Sequence, residues 1–385
     1  MKICLLTDFY YPRTGGIPNQ VYWLAKQLAN MKNEVLIITT AGQKRQLEKM
    51  ENLTVIRLPF AVLQALLFSR EELEEQLLSI FRELKPDILH AHHAFSSLGT
   101  ISGKIGKKIR VPAVLTNHSI PPDYSVLKTF WRTLGIFGAK TIYRNLEYYD
   151  AIIAVSPIAA DFISCFYKGP IYIVPNGIDI QKLQKIESSR NEFGLSENDF
   201  VIIHVGRPSI RKGFEITLLI TKMLKDKIPN LRVFLIGPTG VYKRMLSSSA
   251  ERLGISDIVE IPGFLSWEKT MKLYKIADVL LHPSMGGESF GIIFLEAMAM
   301  GLPIVVAGSG EGAKWIIRLT KSGIYIPSLN PTMITKVLLF LYRNPNMRKK
   351  FGERGKKYVK FFDIRRIARK TLEIYKRVIH EERKR

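Results

Sequence analysis

Cysteine is nearly absent: the 385 residues hold only Cys4 and Cys165, too few for a disulfide framework and without metal-ligand spacing, so the expectation is buried thiols in a reducing compartment. Long apolar runs are missing too. No stretch approaches the roughly 18 to 20 apolar residues that a membrane-spanning helix needs. The run that follows Lys2 ends at Asp8, too short for the core of a signal peptide, and reads as a buried first strand. These absences predict a cytoplasmic chain, soluble or peripheral to a membrane. There is no G-x-x-x-x-G-K-[ST] and no full G-x-G-x-x-G, so neither a P-loop nor an ordinary dinucleotide fingerprint is present. Repeats and low-complexity tracts are also lacking.

Acidic residues are in deficit. Against 57 Lys and Arg stand 34 Asp and Glu, a net charge of +23 that calls for an anionic partner. A phosphorylated substrate, an anionic lipid surface and nucleic acid all qualify, but no nucleic-acid reading module is recognisable. Hydrophobic residues make up 46% and charged residues 24%, a globular balance, and the length suits two domains.

Short apolar runs alternate with amphipathic segments of helix length, the pattern of a parallel sheet wrapped by helices. Strands are predicted at 2–7, 34–39, 54–58, 87–91, 113–117, 151–155 and 171–174. The rhythm breaks over the polar stretch 179–200, read as a linker, and restarts with strands at 201–205, 232–236, 258–261, 278–282, 303–306 and 323–326. The reading is therefore α/β: a Rossmann-like domain over 1–178, a second over 201–360, and a basic helix within 361–385 that crosses back to the first domain. Doubly wound domains bind ligands at the carboxyl ends of their strands, here in a cleft expected between the two.

Four segments at such strand ends carry chemistry. Gly15-Gly16, between the first strand and a helix, lets backbone amides approach a phosphate without Cβ interference, although a plain tight turn explains it as well. His118, in Thr116-Asn117-His118-Ser119, faces the expected cleft and can bond a substrate hydroxyl; a structural role is the alternative. Arg207 and Lys212 lie on the loop after the first strand of the second domain, framed by Gly206 and Gly213, where a guanidinium fork and an ammonium suit phosphate oxygens. The fourth segment runs from His282 through Gly286-Gly287-Glu288-Ser289-Phe290-Gly291-Ile292 to Glu296. A helix is expected to begin near Ser289, its free amides favouring a diphosphate. Glu288 and Glu296 are suited to vicinal hydroxyls, and Glu296 lies in so apolar a helix that its charge needs a partner.

With these residues in place, the chain resembles glycosyltransferase family 4 enzymes of the GT-B fold over nearly its whole length. The resemblance is carried in order by Gly15-Gly16, Asn117-His118, Pro175-Asn176-Gly177, Gly206-Arg207 with Lys212-Gly213, Gly263-Phe264-Leu265-Ser266, and the E-x7-E pair Glu288 and Glu296. The front half is similar to the catalytic subunit that adds N-acetylglucosamine to phosphatidylinositol, through Asp8-Phe9-Tyr10-Tyr11-Pro12 and His90-Ala91-His92-His93-Ala94-Phe95-Ser96. Phosphatidylinositol mannosyltransferases share much of this layout.

The resemblance implies that a hexosyl or N-acetylhexosaminyl group moves from a UDP- or GDP-sugar, with retention of configuration and without a metal or other cofactor. The implied acceptor is a lipid or glycan, with peripheral contact to an anionic membrane. Arg207 and Lys212 would hold the diphosphate, Glu288 the sugar, Glu296 the ribose, and Leu265 the base through its backbone. Gly15 and Gly16 would pack near the phosphates, His118 near the sugar, and the amides of Ser289, Phe290, Gly291 and Ile292 would complete the phosphate site. One departure stands out: Ser309-Gly310-Glu311-Gly312 gives no clean match to the family's Gly-Gly-x-x-Glu element and is left out of the expected site. A GT-B epimerase or phosphorylase is the alternative, and a nucleic-acid-binding protein a more distant one.

Overall fold

The computed structural model describes residues 1–11, 15–40, 46–50, 52–59, 70–121, 129, 144–308 and 310–384. The chain divides into two compact units, Met1–Ile178 with Asp363–Arg385, and Asp179–Phe362. The sequence also suggests an apolar patch at 60–68 and a long helix over 124–148 that mixes basic and aromatic residues, both suited to an anionic membrane surface; the patch and most of the helix lie outside the described residues, and Arg144–Tyr148 is a 3-10 turn.

The first unit is an eight-stranded sheet. Its strands are β1 (Lys2–Thr7), β2 (Glu34–Thr40), β3 (Gln46–Met50), β4 (Leu53–Leu58), β5 (Ile88–His92), β6 (Ala113–Asn117), β7 (Ala151–Ala154) and β8 (Ile171–Ile173), in the order β3-β4-β2-β1-β5-β6-β7-β8. Every neighbouring pair is parallel except β3 with β4. Strands covered on both faces read as continuous apolar runs, which is why Ile3 to Leu6 are fully buried. β3 was not expected. Its Gln-Leu-Glu-Lys-Met is mostly exposed edge and carries no apolar period to read. Cys4 is a thiol inside β1, and burial pushes its ionisation far up; Cys165, also in no disulfide, is only half-buried.

The helix Ile364–Lys384 belongs to this first unit. Ile364, Ile367, Ala368, Thr371, Ile374, Tyr375 and Val378 form its buried stripe at helical spacing. The Ile364 amide donates to the Ile178 carbonyl at 2.9 Å, and the Tyr375 hydroxyl meets His90 Nδ1 at 2.5 Å, fastening the helix to the sheet.

The second unit has β9 (Phe200–Val205), β10 (Leu231–Ile236), β11 (Val259–Gly263), β12 (Val279–Ser284), β13 (Ile304–Gly308) and β14 (Gly323–Ile326), in the order β11-β10-β9-β12-β13-β14 and all parallel. Its apolar interior gathers Ile202, Phe214, Leu235, Leu281 and Val305 with residues of the covering helices. The stretch read as a linker is more structured than that: Ile180–Gln184 is helical, Arg190–Phe193 is a 3-10 turn, and both are counted with this unit. Arg190 explains why, bonding the carbonyl of Asp199 at 2.6 Å and the Asp278 carboxylate at 3.0 Å.

Both sheets reverse direction of winding at one place. In the first unit the reversal lies between β1 and β5, in the second between β9 and β12. Ligand sites of open parallel sheets form at the carboxyl ends flanking such points.

Candidate active site

In the second unit, the loops that leave β9 and β12 carry the expected charged residues to the switch point. After β9 comes a 3-10 turn, Ile210–Lys212, and then Gly213 opens the helix Phe214–Leu224. Gly213 has φ +71°, and a Cβ there would lie 2.0 Å from the Pro283 carbonyl oxygen. Only glycine lets the loop lie so close to the end of β12. The Met285 amide donates to the Arg211 carbonyl at 2.9 Å and completes the seam. Gly213→Ala is therefore expected to lower stability by about 3 kcal/mol or more, read as a drop in the midpoint of urea unfolding, because the clash and the left-handed backbone penalty add.

The seam brings Lys212 Nζ into an ion pair with Glu288 Oε2, with side chains 18% and 15% exposed. His282, fully buried at the end of β12, places Nε2 at 3.4 Å from the same oxygen. Burial alone would raise the Glu288 carboxyl, but the Lys212 charge and the His282 contact outweigh it and hold the group well below the usual carboxylate range. His282 is held neutral by burial, against the pull of Glu288. The Gly312 amide donates to the Glu288 carbonyl at 3.0 Å, and a Cβ at Gly312 would lie 2.2 Å from the Ser289 carbonyl oxygen. The 310–312 element, left out of the expected site, thus shapes the Glu288 turn through its backbone.

The helix behind this turn is Ile292–Met300, beginning three residues later than expected near Ser289. Gly291 stands at its N-cap with φ 90°, no side chain caps it, and its first turn holds no acidic residue. Phe290 is buried, with its ring against Trp315 and Phe362, so what it can offer a ligand is its backbone. An uncapped helix start beside a lysine can take an anion, since free amides and the positive end of the helix dipole point the same way.

Glu296 is 6% exposed in a helix buried at eight of its nine positions. Burial raises its carboxyl to about 7, and the Trp267 indole N–H lowers it only in part. Trp267 opens the helix Trp267–Ile276, so the segment that carries Leu265 and Ser266 also supplies the indole that meets Glu296. Glu288 and Glu296 therefore sit in separate environments: one is ionised beside Lys212, the other keeps its proton up to about neutral pH beside Trp267. Arg207 is exposed and has no ion pair among the described residues. The basic residues of the C-terminal region from Arg348 onward read in sequence as a solvated face, but Arg348 is 3.4 Å from Asp278 and lies over the Phe200 ring at 5.3 Å. A concavity of about 390 Å³ between Lys275, Lys356, Lys357 and Lys360 contains none of the expected site residues.

In the first unit, the loops after β1, β5 and β6 lie side by side by strand order. Gly15 is the N-cap of the helix Gly16–Asn30, with φ 148° and no side-chain cap. Asp8 is buried, and its carboxylate accepts the Ser97 amide at 2.5 Å and the Leu98 amide at 3.4 Å. Burial raises it to about 6, and those amides limit the rise. His118 follows β6, is 8% exposed, and its Nε2 lies 3.1 Å from His92 Nδ1.

Comparison with known proteins fixes the family. Residues 14–182 match the model for Glycosyltransferase Family 4, and residues 185–358 match that for Glycosyl transferases group 1. The chain is a family 4 glycosyltransferase. Alpha-monoglucosyldiacylglycerol synthase of Streptococcus pneumoniae is 25% identical over 80% of this glycosyltransferase and 71% of its own length. D-inositol 3-phosphate glycosyltransferase of Streptomyces bingchenggensis is 25% identical over 94% and 84%. Among solved structures, sucrose-phosphate synthase from Thermosynechococcus elongatus superposes with a TM-score of 0.81 at 20% identity, covering 99% of each chain. Anabaena HepE in complex with UDP-glucose gives 0.74 at 20% identity, covering 97% and 99%. Each unit of the glycosyltransferase thus has the Rossmann-like form of GT-B enzymes.

Proposed function

We propose that this glycosyltransferase moves a glucosyl group from UDP-glucose to a lipid acceptor at a membrane surface, with retention of configuration and without a metal. The observation that carries the donor half is the Lys212–Glu288 pair at the β9/β12 switch point, beside the uncapped start of Ile292–Met300. Lys212, Arg207 and the amides from Ser289 to Ile292 bind the diphosphate and take up its charge as it leaves, which is the dominant stabilisation such a reaction needs. Glu288 then turns to hydroxyls of the sugar, Glu296 to the ribose, and the backbone at Leu265 to the base. His118 meets the transferred sugar, and Gly15-Gly16 gives the donor a side-chain-free approach. Asp8 is engaged with the start of Ser97–Ile109, which favours a front-face substitution over a covalent glycosyl-enzyme.

UDP-glucose is chosen over a GDP-sugar because HepE was solved with it and because the pneumococcal relative is named for a glucosyl lipid. That same name and the +23 charge support a lipid rather than a glycan acceptor, with contact to anionic headgroups. The phosphatidylinositol acceptor suggested by the front half stays within the lipid class. The inositol phosphate glycosyltransferase relative favours a second reading, a water-soluble inositol phosphate.

The test supplies radiolabelled UDP-glucose with vesicles containing diacylglycerol or its monoglucosyl derivative, vesicles containing phosphatidylinositol, or free D-inositol 3-phosphate. Organic-phase label with an α-anomeric proton signal, unchanged after dialysis against EDTA, is expected. Label confined to the aqueous inositol product would replace the lipid reading. Conversion of UDP-glucose with no acceptor present would point to an epimerase, and dependence on inorganic phosphate to a phosphorylase.

A further inference from the structure

The sequence His90-Ala91-His92-His93 puts three histidines at the end of β5, and the proposed chemistry uses none of them. His90 is committed at both ring nitrogens, Nδ1 to the Tyr375 hydroxyl at 2.5 Å and Nε2 to Thr116 Oγ1 at 2.6 Å. His93 has φ 77°, and its Nδ1 accepts the Phe95 amide at 3.2 Å. A backbone N–H can only donate, so the His93 proton sits on Nε2, which meets Ser119 Oγ at 3.1 Å. His92 is different. It is 1% exposed, its Nδ1 faces His118 Nε2 at 3.1 Å, and its own Nε2 has no hydrogen-bond partner among the described residues.

That orphan atom decides the tautomer. A buried N–H left without an acceptor is rarer and costlier than a bare acceptor nitrogen left without a donor. The proton of His92 therefore belongs on Nδ1, which donates to His118 Nε2. His118 must then accept at Nε2 and carry its own proton on Nδ1, because one ring nitrogen's bond dictates the other's state.

We infer that His92 is a positioning residue that fixes His118 as a neutral Nδ1–H donor, so that His118 recognises an acceptor oxygen, a sugar hydroxyl, and does not act as a proton-accepting base through Nε2. The rings are aligned for that bond: His92 and His118 meet edge to edge, their centroids 5.4 Å apart at an interplanar angle of 21°, while the His90 ring packs against His92 with centroids 4.2 Å apart. The charged forms of all three rings are disfavoured by burial and by one another, which keeps His118 neutral. The tautomer stands on geometry alone; its consequence for transfer rests on the proposal that His118 meets the sugar.

The full-length enzyme with ¹⁵N-labelled histidine tests the two parts separately. Two-bond nitrogen–proton spectra should show Nδ1 protonated and Nε2 unprotonated in both His92 and His118. An Nε2-protonated His118 would overturn the inference whatever the activity. In kinetics, His92→Leu should lower kcat/KM about tenfold or more, as removal of an orienting partner typically does. His92→Asn, whose amide N–H can stand where Nδ1–H stood, should recover most of that loss. In a His118→Ala background, His92→Leu should cost less than about twofold further, since the hydrogen bond is already gone. Full additivity, or no rescue by Asn in a variant that unfolds like wild type, would overturn the positioning role. A fully active His118→Ala enzyme would instead remove the reading of His118 as a sugar contact and leave the tautomer result standing.

Discussion

Glu288→Gln is expected to lower kcat for sugar transfer by about 10²- to 10³-fold while making free UDP bind more tightly, by about five- to tenfold. The two effects have one origin. In the free enzyme Lys212 is neutralised by Glu288, so an arriving diphosphate competes with a carboxylate for the ammonium. Removing the carboxylate frees the cation for phosphate, and a partly buried charge-assisted contact is worth a kcal/mol or somewhat more. The same change removes the group proposed to orient the sugar, and losing a preorganised polar contact to the reacting part costs rates of the stated size. Calorimetric titration with UDP together with single-turnover transfer reads both. Weaker UDP binding with unchanged turnover would mean that Glu288 serves the phosphates and not the sugar. Stability offers a third reading. The carboxyl is held below its unfolded value, so the stabilisation it brings is present above about pH 4.5 and lost as the pH falls. Glu288→Gln should abolish that acid-side loss.

Glu296→Gln should stabilise the protein and still impair it. The carboxyl titrates at about 7 when folded and near 4.5 when unfolded, so the folded state keeps a proton that the unfolded chain releases. Stability from this group is intact below about pH 4.5 and declines as the pH rises through 7, reaching a penalty of about 3 kcal/mol at pH 8. A glutamine carries no charge to desolvate and can still accept from the Trp267 indole. The variant's unfolding midpoint should therefore exceed that of wild type at pH 8 and come together with it near pH 4. KM for the nucleotide-sugar should rise by about 10- to 30-fold, the scale of one charge-assisted hydrogen bond to a hydroxyl. Equal midpoints at every pH would show that burial does not raise this carboxyl.

Much of the fold is legible in the sequence. Parallel strands buried on both faces announce themselves as apolar runs such as Ile3 to Leu6, and charged or glycine-rich turns after them mark the ligand end. What escaped had no local signature. β3 is a polar edge strand held by its pairing to β4. The helix start moved from Ser289 to Ile292 because Phe290 is drawn into the core against Trp315 and Phe362, a tertiary demand that propensity cannot register. The ionisation of Glu288 depends on Lys212, 76 positions away in sequence, and that of Glu296 on its burial and on Trp267. Gly312 enters through an amide, which any residue type would supply, but tolerates no Cβ beside Ser289. The histidines of β5 were visible as a motif; their division into anchor, positioning residue and loop strut came from which nitrogen faces which partner.

In the proposed function, the Lys212 loop and the start of Ile292–Met300 form the donor diphosphate site. Calorimetric titration of UDP-glucose into wild-type enzyme and into Lys212→Met, with circular dichroism to confirm that both are folded, tests it most directly. Binding to wild type with a loss of about a hundredfold or more in the variant is the predicted result. A folded Lys212→Met enzyme that binds UDP-glucose as tightly as wild type would contradict it.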